Sequence, residues 1–525
     1  MRKIITLATF AFIFTIGAHA QSAYDAAKLA NKDLSGTARF VGMGGAMGAL
    51  GGDISTIGTN PAGIGIYRSN DVMTTINFST LETKSKYGGN SFTSKADRFS
   101  FNNVGVVLST KVGNYTSLRY VNFGFNYNRS KSFYKNMSMD GLLNASPGGE
   151  IISPSYYMER QANGNNEDMY AKNVFRNDRV GWLSALAANS DVILYDGAKN
   201  LFFADPPNDA DVNFISNERG GIGQYDFNVS FNFNDRFYLG TTIGAYDVNY
   251  RKYSQYDEDY GDKQGYNLQS WNTIDGSGFD FKVGAIVRPF EESPLRLGLA
   301  IHTPVFYNLT LATSARMESD FYPTPASTET THIDVDTWDE LGGDNCYREF
   351  RLRTPWKFNT SIGYTVGNYL ALGAEYEYED YSTMAFSYPE GDNMTWETDQ
   401  VSEMMKGVHT FRIGAELKPT PEFALRAGYN YSSTTFKDGA WKNIALNSIN
   451  TDMDYANTQA VSNYTLGLGY RGSMFYADVA YKFNTYKEDF YAFYDNENYG
   501  GPNYLHPTQV TNNNHQVFVT LGIRF

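Results

Sequence analysis

From Asn70 to the C-terminus the chain alternates: apolar residues recur at every second position. The last segment shows it best. Val517, Val519, Leu521, Ile523 and Phe525 are apolar, Gln516, Thr520, Gly522 and Arg524 between them are polar or small, and Phe518 breaks the pattern. Phe411, Ile413, Ala415 and Leu417 alternate with Arg412, Gly414, Glu416 and Lys418 in the same way, as Phe423 to Tyr429 do with Arg426 and Gly428. A period of two places one residue set on each face of a strand. A soluble sandwich alternates as well, so the period alone leaves both readings open.

Three features favour a membrane barrel. The polar face carries Arg, Glu, Lys and Asn, as a wet lumen would. Tyr and Phe gather at strand ends, as in interfacial aromatic belts, and the chain holds 40 Tyr and 36 Phe. Connections alternate between short turns, such as Asn234-Asp235 and Gly367-Asn368, and long polar loops, the largest over 129–224. Thr303-Pro304 and Thr354-Pro355 read as bends within strands, because neither has a glycine-type hairpin signal. That count gives about fourteen strands. Taking the two sites as turns gives sixteen, but puts two short turns on the external side. The expected fold is therefore all-β: a transmembrane antiparallel barrel, 71–525, with short periplasmic turns and long external loops.

Residues 1–20 read as a signal peptide. Arg2 and Lys3 precede an apolar core too short to span a bilayer, and Ala18-His19-Ala20 forms a cleavage site. After Gln21 no apolar run reaches about 18 residues. Residues 21–70 include GTARFVGMGGAMGALGGDISTIGTNPAGIGIY, from Gly36 to Tyr67. Glycine loses the most backbone freedom on ordering. A run this rich in it must pack inside something else, so it is read as a hatch plugging the lumen. Net charge −14 argues against a nucleic-acid partner. A single cysteine, Cys346, allows no internal disulfide.

Together these features resemble the FadL/TodX family of outer-membrane transport proteins for hydrophobic compounds, in a Bacteroidetes-type form. The likeness rests on the small-residue stretch Ala38–Ala46, on Asn60-Pro61-Ala62-Gly63 ahead of the first strand, and on the strand Leu295–Pro304. It implies a fourteen-stranded, monomeric, multi-pass barrel in the bacterial outer membrane, in contact with lipid and lipopolysaccharide. Asn60, Pro61 and Ala62 would be the hatch motif, and a kink in the third strand, here at Gly124, would open a lateral exit. The implied function is energy-independent uptake of hydrophobic or amphipathic, fatty-acid-like molecules, with no cofactor. The alternative is a PorV-like shuttle or attachment component of type IX protein secretion, with protein partners. An apolar lumen would favour transport; a polar lumen under an apolar external patch would favour protein cargo.

Other constellations carry less. Gly42-Met43-Gly44-Gly45 lacks the strand and spacing of a dinucleotide loop. The five histidines after the signal are scattered and no pair has metal spacing. His409 and Ser462 have no sequence feature that brings them into a hydrolase triad. The acidic run Asp257-Glu258-Asp259 reads as a solvated loop.

Overall fold

In the computed structural model, which describes residues 19–143, 151–324, 326–496 and 503–525, the chain is a closed antiparallel barrel. The expected signal peptide lies, except for its last two residues, outside the described residues. The fourteen wall strands are β1 (Asp71–Tyr87), β2 (Asn90–Lys111), β3 (Leu118–Ser132), β4 (Asp211–Phe233), β5 (Phe237–Gly261) and β6 (Gln264–Val287). They continue with β7 (Arg296–His302 and Phe306–Phe321), β8 (Cys346–Arg353 and Lys357–Val366), β9 (Leu370–Asp380) and β10 (Gly407–Leu417). β11 (Phe423–Ser432), β12 (Val461–Arg471), β13 (Phe475–Tyr491) and β14 (Thr508–Arg524) complete the wall. Each pairs with the next, and β14 closes on β1, with Asp71 opposite Arg524.

Both proline sites bend a strand. The two halves of β7 lie against the same neighbours, β6 on one side and the two halves of β8 on the other. Thr354 is tied to the same level, its hydroxyl accepting the Val305 N–H at 2.8 Å. The count is fourteen.

Outward positions form an apolar band that includes Phe99, Phe123, Ile243, Leu299, Ile413, Leu466 and Leu521, all exposed. So continuous an apolar surface is foreign to soluble monomers and matches the lipid-facing band of a membrane barrel. No helix among the described residues is long and apolar enough to cross a membrane; the strands do it.

Two expectations about loops need correction. The longest connection runs over 133–210, not 129–224, because β4 begins at Asp211 and Lys135–Leu142 pairs with its first residues. The acidic stretch 253–275 is ladder rather than loop: β5 and β6 stay paired to a tight turn at Asp262-Lys263. About ten tilted residues cross a bilayer, so the ends of these long strands nearest the Asp262-Lys263 turn stand above the membrane. There a cap is built from α-helices Pro154–Asn165, Trp182–Asn189 and Thr395–Met404, the segment 433–456 and these strand extensions, sharing one apolar core.

The plugged lumen as candidate functional site

Residues 19–70 occupy the lumen from one end to the other. At the short-turn rim, Asn70 exchanges backbone hydrogen bonds with Phe525 (2.9 and 3.1 Å). At the long-loop end, helix α1 (Ala23–Ala30) joins the cap. Tyr24 stacks on Phe436 at 4.7 Å, the Ile449 N–H donates to the His19 carbonyl, and His19 Nδ1 lies 2.6 Å from Glu397.

Between these ends the wall is shaped to admit backbone. Gly363 pairs with Gly373, Gly373 with Gly414, and Gly414 with Gly428, so four inward glycines stand side by side on β8 to β11. A Cβ on Gly373 would collide with the Ala46 carbonyl, on Gly414 with that of Met43, and on Gly428 with the backbone of Gly44. Gly240 on β5 does the same for the backbone of Pro61 and Ala62, and Gly284, its partner on β6, makes room for the Asn60 side chain. The sequence reading saw glycine in the inserted segment and missed its counterpart in the wall. The signal was present as inward, mid-strand glycines.

The structure brings Asn60, Pro61 and Ala62 together on β4 to β6. Asn60 is fully buried. Its Oδ1 accepts the Ala62 N–H (3.1 Å), capping a 3-10 turn over Pro61–Ile66, and its Nδ2 donates to the Ala285 carbonyl (3.2 Å). Ser230 Oγ donates to the Pro61 carbonyl at 2.9 Å, and Ala62 packs on Tyr238 and Ile286. Gly124 faces the same segment, with Ile57 beside it. The kink expected there is absent. Pairing runs unbroken through Gly124 on both sides, opposite Val107 and Asn228; the register shifts of β3 fall at Leu118/Tyr120 and Arg129/Lys131. The glycine makes room for the plug, not a break in the wall.

Charged groups add fixed contacts. Arg39 of the inserted segment donates to Glu416 (Nε 2.8 Å), Arg426 donates to the same carboxylate (2.7 Å), and Arg426 reaches Asp478 (2.6 Å). Gly48 N–H donates to Glu375, which Arg412 also holds at 2.6 Å. Buried charges survive in such sites only when paired and hydrogen-bonded.

Beside the segment and beneath the cap lies a cavity of about 380 Å³. Its apolar lining includes Leu81, Phe133, Met137, Phe436 and Phe490, but polar and ionised side chains predominate, among them Glu218, Lys252, Glu377, Arg412 and Asp452. Two ammonium groups on this lining, Lys32 and Lys482, have no carboxylate partner among the described residues. Lys32 donates to the Tyr246 hydroxyl (3.1 Å) and Lys482 to the Leu34 carbonyl (2.6 Å). Among the described residues no group of three or more His, Cys, Asp or Glu could hold a metal ion.

No protein-family model matches the chain, and no curated protein matches it. Among solved structures, a Pseudomonas aeruginosa FadL homologue aligns at TM-score 0.53 and 14% identity, over 94% of this chain and 98% of that one. The Pseudomonas putida toluene transporter TodX aligns over 94% and 99% at TM-score 0.46 and 10% identity. The alignment with the FadL homologue gives this chain the FadL-like fold, here a closed fourteen-stranded membrane barrel.

Proposed function

We propose that the chain carries amphipathic small molecules, of the long-chain fatty-acid kind, across the bacterial outer membrane without an energy source, and that residues 21–70 act as the hatch. The observation that supports this most is the cavity enclosed between hatch and wall. Its size lies within the range of ligand pockets, about 300–1,000 Å³. Uncompensated ammonium groups at Lys32 and Lys482 suit an acidic head, and Phe133, Met137, Phe436 and Phe490 suit a short length of tail. A purely hydrocarbon ligand would leave those charges desolvated and unpaired. With the wall unbroken at Gly124, exit is assigned to hatch displacement toward the periplasm. The test is purification in mild detergent, mass spectrometry of co-purified lipids, and titration with a saturated fatty acid. Saturable binding that weakens in Lys482→Gln is expected; an empty barrel with no saturable binding would sink the reading.

A second reading, the secretion shuttle, is favoured by one observation. The lumen is largely polar, and a hairpin in the cap, Leu194–Asp196 with Leu201–Phe203, exposes Leu194, Tyr195, Leu201 and Phe203. If the barrel binds no small amphiphile and pull-down through the external loops captures secreted proteins, that reading replaces the first.

A further inference from the structure

At the short-turn mouth two arginines stand side by side. Val287 of β6 pairs with Leu297 of β7, so Arg288 and Arg296, one residue further along each strand, are neighbours and face the lumen. Like charges set opposite one another across strands are destabilising. Arg68, at the base of the inserted segment, adds a third positive charge acting on Arg296. Among the described residues neither Arg288 nor Arg296 has a carboxylate within ion-pair reach, whereas Arg412 and Arg426 each hold two and Arg524 holds one. The Nε atoms of both are buried and bond to nothing in the protein.

Other contacts hold the three in place. Arg296 Nη1 donates to the Leu50 carbonyl at 2.7 Å. Arg68 Nη1 donates to the carbonyls of Gly65, Ile66 and Tyr67, at 2.9 to 3.1 Å. Its Nη2 pairs with Asp235, the one carboxylate in contact with the group, and the Asp235 backbone carbonyl lies 3.5 Å from Arg288 Nη1. Three guanidinium groups against one carboxylate leave two charges uncompensated. Planar forks oriented in advance with free N–H groups suit the bidentate recognition of phosphate or carboxylate.

We infer that Arg68, Arg288 and Arg296 form an anion site at the periplasmic mouth, for a phosphate or similar oxyanion. The site does not depend on what the cavity carries. It joins wall and plug, because Arg68 belongs to one, Arg288 and Arg296 to the other, and Arg296 also holds Leu50.

The test uses the full-length barrel in maltoside detergent, with folding checked by heat-modifiable gel mobility. Inorganic phosphate is titrated against melting temperature, and phosphatidylglycerol is compared with phosphatidylcholine by native mass spectrometry. Saturable binding of phosphate points to a free anion, and binding of phosphatidylglycerol alone to a lipid head group; both support the site. Affinity should fall about tenfold or more in R288Q/R296Q, as the loss of hydrogen bonds to a charged group predicts. It should fall less in R288K/R296K, which keeps charge and loses the fork. If the wall variants do not fold, R68Q in the inserted segment gives the same readout. Variant curves that coincide with the parent, or no saturation with either probe, overturn the inference.

Discussion

At the scale of single residues, the wall glycines decide whether the lumen is filled. Gly428 is inward-facing at mid-strand, and any side chain there meets the backbone of Met43 and Gly44. The neighbouring wall atoms are sheet backbone, which does not yield as a flexible side chain would. Gly428→Val should therefore leave the barrel folded, since valine is a good strand residue, while displacing the inserted segment. Planar-bilayer recordings should show a conductance the parent lacks. A variant as silent as the parent would show that the segment is not what closes the pore. The same logic explains why the Gly124 expectation failed. A glycine in a strand marks either a bulge or a close approach, and the sequence does not say which. The answer lay in Ile57, 67 positions away in the chain.

At the scale of elements, the inserted segment is held at discrete points, and Arg39, bonded to Glu416 and to the Gly52 carbonyl, is one of them. Arg39→Ala leaves Glu416 with Arg426 at 2.7 Å and Lys418 at 3.9 Å, and removes the bond to the Gly52 carbonyl. Breaking a buried pair costs about 3 kcal/mol. Hydrogen exchange over residues 36–66 should accelerate by an order of magnitude or more, while the wall strands exchange as before; acceleration throughout would mean that the latch supports the whole barrel. Much at this scale was legible in sequence. Alternation set the strands, turn lengths set which end each turn occupies, and a proline without a glycine partner read as a bend. What escaped was long-range. Residues 253–275 look like an acidic loop because Asp257, Glu258 and Asp259 dominate the composition, yet strands that rise above the bilayer keep pairing in water. Helix α1 could not be placed from sequence, since the partners of its Tyr24, namely Phe436, Tyr455 and Asn457, lie more than 400 residues away.

At the scale of the whole molecule, barrel and cap answer to different conditions. The cap holds a buried carboxylate, Glu258, which accepts hydroxyls from Tyr256 (2.5 Å), Tyr260 (2.9 Å) and Ser153 (3.0 Å) and has no ion-pair partner among the described residues. Burial outweighs those bonds and pushes its pKa from 4.5 up to about 7. The folded cap then binds more protons than the unfolded chain between those values, so its stability falls as pH rises from about 4.5 to about 7. Glu258→Gln should flatten the dependence of cap melting on pH across that window and raise stability at pH 8; an unchanged slope would show that Glu258 does not titrate there. The seam between β1 and β14 carries a consequence of another kind. Residues 19–70 run through the ring that this seam completes, reaching the cap at one end and β1 at the other. A plug so threaded, its tip buried in the cap, is not readily inserted after closure. Assembly is thus ordered like a cask coopered around its contents, and the C-terminal strand, docking last on the first, is the stave that seals it.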